Sequence, residues 1–160
     1  MTKNIKLFIC DVDGTLTDGK LYFGDNGELF KKFDIKDGYG IYSLLPNNKI
    51  ETVIITGRSS EIVAKRCADL RVKEVYQGVS DKLLCLKEIT DKKCIGFDQV
   101  AYIGDDLNDI ECITQVNKSG GITACPKNSI KKVKKLVRYV CKNNGGDGAV
   151  REFIELIIKK

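Results

Sequence analysis

Histidine is absent from all 160 residues. That gap removes histidine general bases, phosphohistidine chemistry and the common zinc sites, so any catalysis must use carboxylates, lysine, arginine or hydroxyls. Long apolar runs are missing too, none approaching the roughly 20 residues that span a bilayer. The first residues lack the apolar core and cleavage site of a secretory leader, because Asp11 and Asp13 arrive directly after a short apolar run. A cytoplasmic protein is expected. The seven cysteines form no C-x-x-C pair, and most lie in apolar stretches where a reduced thiol behaves as a small hydrophobe. The charge balance is only modestly basic, at +5. Its densest cluster, Lys131, Lys132, Lys134 and Lys135, has no interleaved aromatics and reads as a solvated helix face. Neither nucleic acid nor membrane is an expected partner.

The length fits one domain over residues 1–160, with a real core but no room for an independent cap. The stretch from Lys6 to Thr17 is an apolar run that ends in two acids and a glycine, the pattern of a strand delivering its C-terminal end to a site, with Val12 turned away between Asp11 and Asp13. Next come two short β-prone runs, 19–23 and 28–33, joined through Asn26-Gly27, predicting a projecting hairpin over about 19–34. A short helix is predicted over 41–45, stopped at Pro46. Strands then alternate with helices: strands at 50–56, 72–76, 100–103 and 121–125, and helices at 61–70, 82–93, 107–116 and 129–140. The tail, 142–160, reads as a flexible Gly-rich break over 142–148 and an amphipathic helix over 149–158. Such alternation predicts right-handed crossovers, hence an α/β fold with a doubly wound parallel sheet.

Asp11 and Asp13 repel each other unless a cation or a shared proton relieves them, and a divalent metal is the simplest relief. Alone, the pair could also be a turn with helix-capping acids. A calcium loop of the EF-hand type is excluded, because the required Gly and Glu do not follow. A second acidic cluster, Gly104-Asp105-Asp106-Leu107-Asn108-Asp109, also follows an apolar strand and should emerge on the same sheet edge. Between them lie Thr56 at a strand end and Lys82 at a helix start.

These four elements, in this order, resemble the signatures of the haloacid dehalogenase superfamily of phosphatases. The resemblance implies a Rossmann-like sheet, Asp11 as nucleophile, Asp13 as acid/base, and Mg²⁺ held by Asp11, the backbone carbonyl of Asp13 and Asp105, with Asp109 or Asp106 as support. Thr56 and Lys82 would bind the transferring phosphoryl group. An acid at position 109 is also simply favourable early in a helix. Only 42 residues lie between Asp13 and Thr56 and 25 between Thr56 and Lys82, which leaves no room for a cap domain. A neighbouring subunit or a macromolecular substrate would have to cover the open site, and the hairpin is the candidate contact.

More narrowly, the sequence resembles the 3-deoxy-D-manno-octulosonate 8-phosphate phosphatases, through Asp18-Gly-Lys-Leu-Tyr22, Gly27-Glu28 with Lys32 and Phe33, Asp37-Gly-Tyr-Gly-Ile41, Thr56-Gly57-Arg58, Arg66 and the tail Gly145-Gly-Asp-Gly-Ala-Val-Arg-Glu152. That resemblance implies a homotetramer with hairpins at its centre, a tail reaching an active site, and a place in lipopolysaccharide sugar synthesis. Related phosphatases of sialic-type (nonulosonate) 9-phosphates carry Glu after the Thr-Gly pair and a downstream Lys. Here Arg58 and Asp69 stand instead, favouring the eight-carbon acid, whose carboxylate an arginine can pair bidentately. Arg58 is open to a second reading as a solvent or phosphate contact, and Arg66 to one as a structural ion-pair partner. The alternative functions are a nonulosonate 9-phosphate phosphatase and, in another class, a non-catalytic assembly module of sugar-acid activation.

Overall fold

A computed structural model of the chain describes residues 4–159. Residues 1–3 and 160, which the predicted domain and tail include, lie outside them. β1 (Leu7–Cys10) is completely buried because it is central: it pairs in parallel with β4 (Glu51–Ile55) on one side and β6 (Val100–Ile103) on the other. β5 (Glu74–Tyr76), β7 (Ile122–Cys125) and β8 (Tyr139–Val140) extend an all-parallel sheet in the order β5-β4-β1-β6-β7-β8. The period-two alternation of β1 divides the core. Phe8 and Cys10 join one apolar cluster with Ile41, Val63, Phe153 and Ile154, whereas Leu7 and Ile9 join another with Leu86, Ile89, Ile113 and Val116. Helices α3 (Glu61–Asp69) and α7 (Ala149–Ile158) therefore cover one face, with α1 (Ile35–Tyr39) packed beside α7, and α4 (Lys82–Lys93) and α5 (Ile110–Lys118) cover the other. The winding direction reverses at β1, so the crevice beyond β4, β1 and β6 is where such a sheet binds ligands. No helix among the described residues is long and apolar enough to cross a membrane.

The expected hairpin is present but shorter, as β2 (Tyr22–Gly24) and β3 (Gly27–Phe30) in a separate two-stranded sheet. Three other predicted elements differ. The helix predicted over 41–45 begins earlier, at Ile35, because the Asp34 carboxylate caps it by accepting from the amides of Lys36 and Asp37. It also continues past Pro46: a π-helical stretch, Gly40–Leu44, precedes α2 (Leu45–Asn47), and its wider turn accommodates the ring.

The helix predicted over 129–140 shrinks to α6 (Lys131–Lys134), and the chain then enters β8. Tertiary bonds decide this. Asn117 donates to the Leu136 carbonyl, Thr123 Oγ1 accepts from the Arg138 amide, and the Cys141 amide bonds the Cys125 carbonyl. Nor is 142–148 a flexible break, since the Glu152 carboxylate on α7 accepts from the amides of Lys142 and Asn143, from Asn143 Nδ2 and from Tyr139 Oη. All seven cysteines are free, five of them buried, as expected of core thiols.

Candidate active site

The site begins where β1 runs out. Asp11 still bonds the Ile103 carbonyl through its amide, but the chain then wraps around one acceptor, the Val12 carbonyl, which receives the amides of Thr15, Leu16 and Thr17. Gly14 is required at the turn, because its φ is +90° and a Cβ there would overlap the Asp105 carboxylate. Thr15 Oγ1 donates to Asp105 Oδ1 at 2.9 Å, tying the loop after β1 to the loop after β6.

The tail seals the back of this turn. Gly145 packs so tightly on the Gly14 carbonyl that a Cβ would overlap it, and the Gly146 amide bonds the Thr15 carbonyl. Within one chain, then, the Gly-rich tail buttresses its own acidic loop.

Lys82 enters from the first residue of α4, a helix capped by Asp81. Its ammonium, almost wholly buried, lies 2.8 Å from Asp11 Oδ1 and 2.8 Å from Asp109 Oδ1. Asp109 is fully engaged: Oδ1 also accepts from Tyr102 Oη at 2.7 Å, and Oδ2 accepts from the amides of Asp105 and Asp106. Carboxylate oxygens of Asp11, Asp105 and Asp109 all lie within 4.8 Å of one another.

Burial, reinforced by the charge of Asp109 and only partly opposed by Lys82, pushes the Asp11 carboxyl well above its usual range. Burial also lifts Asp105 to about 6, with Thr15 opposing and Asp109 adding to the rise. For Lys82 burial works downward, but Asp11 and Asp109 outweigh it and hold the ammonium charged. Three crowded acids against one lysine leave a negative surplus, and an all-oxygen donor set suits a hard divalent cation such as Mg²⁺. Because hydrogen bonds engage both oxygens of Asp109, the carboxylates freest to take a cation are Asp11 and Asp105.

The other predicted residues divide. Thr56 is buried at the C-terminal end of β4, and Gly57 faces Asn108 of the second acidic loop. Arg58 stands at the mouth, 43% exposed at its side chain, 3.9 Å from Glu28 Oε1. Asp106 does not join the carboxylate cluster; it is exposed and caps the turn at Leu107. Arg66 is not brought in either, its guanidinium lying 5.6 Å from the centre of the Phe33 ring and close against Gly38.

The Asp13 carboxylate turns to an unanticipated partner, Lys31 of the hairpin, at 2.6 Å. Extending the period-two alternation of β3 puts Lys31 on the same side as Phe33, which packs on the core, and that signal could have marked it. Tyr102 was likewise missed, hidden in an apolar strand. A polar cleft of about 340 Å³ beside Lys82 is lined by Ser80, Asp81, Leu107, Asn108 and Glu111. A cavity of about 370 Å³ lies at the other end of β4, near Ile50 and Leu70, away from the acids.

Residues 70–154 match the haloacid dehalogenase-like hydrolase family. The 3-deoxy-D-manno-octulosonate 8-phosphate phosphatase KdsC of Salmonella typhi is 43% identical over 160 residues, covering 99% of this chain and 82% of that protein. Among solved structures, the phosphatase of the same name from Yersinia pestis superposes with a TM-score of 0.90 at 39% identity, covering 98% of this chain and 82% of that one. The Moraxella catarrhalis phosphatase, solved with a magnesium ion, a phosphate ion and a KDO molecule, superposes with a TM-score of 0.91 at 38% identity, covering 98% and 87%. With both acidic loops, Thr56 and Lys82 at one sheet edge and no cap between them among the described residues, this chain belongs to the capless haloacid dehalogenase-like hydrolases, alongside the 3-deoxy-D-manno-octulosonate 8-phosphate phosphatases.

Proposed function

We propose that this chain is a Mg²⁺-dependent phosphatase that hydrolyses 3-deoxy-D-manno-octulosonate 8-phosphate to the free sugar acid and phosphate. The observation that carries this reading is the convergence of Asp11, Lys82, Asp109 and Asp105 at the sheet edge, in a chain 43% identical to a phosphatase of that name. Asp11, Asp105 and the backbone carbonyl of Asp13 would hold the Mg²⁺, which neutralises carboxylate and phosphate and permits their approach.

The residues divide the chemistry. Asp11 attacks phosphorus, its orientation fixed by Lys82, and the bond to the sugar oxygen breaks as an aspartyl-phosphate forms. Asp13 gives its proton to the departing alkoxide, then takes one from the water that opens the aspartyl-phosphate. Lys82 and Thr56 stabilise the phosphoryl oxygens. Lys82 is kept in place by Asp109, which Tyr102 and two backbone amides hold in turn.

Arg58 supplies a cation for the sugar-acid carboxylate. Arg66, which lies against Phe33 and Gly38, would serve a neighbouring subunit's site. Four exposed apolar residues on the hairpin, Leu21, Phe23, Leu29 and Phe30, support its burial at the centre of a homotetramer. The reading treats residues 1–160 as one phosphatase domain acting in cytoplasmic lipopolysaccharide sugar synthesis.

Purified protein assayed with Mg²⁺ on the eight-carbon 8-phosphate and a nonulosonate 9-phosphate tests the assignment. Preference for the first is expected, and equal or reversed preference would remove it. Asp11→Asn should abolish turnover while keeping the fold; residual wild-type activity would defeat the mechanism.

A further inference from the structure

Of the lysines around the hairpin, Lys20 and Lys32 are exposed and Lys31 is buried. Its side chain is 1% exposed, with the ammonium 2.6 Å from Asp13 Oδ1 and 2.8 Å from Glu28 Oε1. An ammonium is not taken out of water without partners, so these two carboxylates are the reason it lies inside. Glu28 is anchored in turn: Oε2 accepts from Ser60 Oγ at 2.7 Å, and the Ser60 amide bonds Gln77 Oε1. A continuous polar chain therefore runs from the loop after β4, through the hairpin, to one oxygen of Asp13. The Asp13 side chain is 25% exposed, more open than Asp11 at 6%.

We infer that Lys31 is a positioning residue for the proton-transfer group: it holds the Asp13 carboxyl in one orientation at the mouth of the site, with Glu28 and Ser60 fixing Lys31 from behind. The inference rests on the phosphatase reading above. In the first half-reaction the Asp11 oxygen bonds phosphorus, the bond from phosphorus to the sugar oxygen breaks, and the proton of Asp13 passes to that oxygen. In the second, water adds to phosphorus, its proton passes to Asp13, and the Asp11–phosphorus bond breaks. Lys31 keeps its protons throughout and acts only by direction. A simple clip fastening the hairpin would make the same contacts, but it would have no reason to distinguish one leaving group from another.

The leaving group therefore supplies the test, since kcat/KM reports only the steps through alcohol release. A sugar alkoxide needs the proton from Asp13, whereas p-nitrophenolate leaves unaided. In Lys31→Met, kcat/KM for 3-deoxy-D-manno-octulosonate 8-phosphate should fall about 100-fold, within the range of a general acid's contribution, and that for p-nitrophenyl phosphate less than about fivefold. Lys31→Arg should recover most of the sugar-phosphate rate. Equal losses on both substrates, or none on the sugar phosphate, would overturn the inference.

Should Lys31→Met fail to fold, Ser60→Ala carries the same comparison, a selective loss on the sugar phosphate supporting the role and an equal or absent loss overturning it. Wild-type protein that hydrolyses neither ester would defeat the phosphatase reading instead.

Discussion

Removing the cation that bridges Asp11 and Asp109, as Lys82→Met, should cost far more than a surface ion pair. The ammonium bonds Asp11 and Asp109 at 2.8 Å each, with its own side chain 1% exposed. Methionine fills the same volume without charge, so the packing term is small and the electrostatic term dominates. Breaking a buried ion pair by removing one partner costs about 3–5 kcal/mol. Asp109 keeps three donors, from Tyr102 and two amides, so Asp11 bears most of the loss. Burial and Asp109 already raise the Asp11 carboxyl, and without Lys82 it rises further, so the penalty is present at high pH and shrinks as Asp11 becomes protonated. In the wild type, the raised Lys82 value means that its stabilisation is complete below the ordinary lysine value of 10.5 and lost only as pH rises beyond it. Urea unfolding of metal-free protein should show this loss of about 3–5 kcal/mol at pH 8 as a midpoint lower by about 1.5–3 M, with a smaller gap at pH 5.5. Adding Asp109→Asn should recover part of the loss. A variant as stable as wild type at pH 8, or a deficit that grows on acidification, would refute the account.

Three further outcomes follow from the same contacts. Burial raises Asp37 from 3.8 to about 6 despite its bond from the Arg151 amide, so its stabilising contribution is whole below the unfolded value and is lost as pH rises through 6. Asp37→Asn should flatten a fall of about 3 kcal/mol between pH 4 and 6 in denaturation curves, and an unchanged slope would remove the assignment. Tyr102→Phe removes one buried donor from Asp109; it should cost about 1–3 kcal/mol in chemical unfolding and lower kcat several-fold with little change in KM, whereas wild-type stability would show the bond to be idle. Gly145→Ala would push the tail off the Gly14 carbonyl, so a loss of about 1–3 kcal/mol with reduced turnover is expected, and an unaffected enzyme would mean that the tail does not brace the loop.

What the sequence disclosed about the fold followed the range of the interactions involved. β6, α4 and α7 were predicted at their observed boundaries because an apolar run, a capping Asp81 and a 3.6-residue period are local signals. β8 was missed because Tyr139–Val140 is a strand only by virtue of Cys125 and Thr123, whose backbone and hydroxyl take the bonds a helix would have used internally. The glycines of 145–148 looked like freedom, yet they are there for contact: at Gly145 and Gly146 the backbone of the Asp13–Thr17 loop leaves no space for a side chain. Composition alone cannot separate a flexible glycine from a crowded one.

The site was legible to the same extent. Carboxylates at two strand ends revealed where charge gathers, but not how the acids are told apart. That distinction lies in their cations. Asp11 shares Lys82 with Asp109 in a buried setting, and Asp13 meets Lys31 at the mouth, 25% exposed. That difference suits the roles proposed above, since a nucleophile benefits from a rigid, water-poor position, while a group that exchanges protons with both sugar oxygen and water needs access. Strand alternation would turn two acids separated by a single residue the same way, but β1 ends at Cys10 and the chain wraps around the Val12 carbonyl, so Asp11 and Asp13 reach different surroundings, and Lys82 on α4 and Lys31 on the hairpin fix that difference from two sides. The hairpin thus carries two tasks on one short element. Its apolar residues Leu21, Phe23, Leu29 and Phe30 face outward, and its buried lysine reaches inward to Asp13, so a change in how the hairpin is seated would be felt at Asp13 before it reached Asp11.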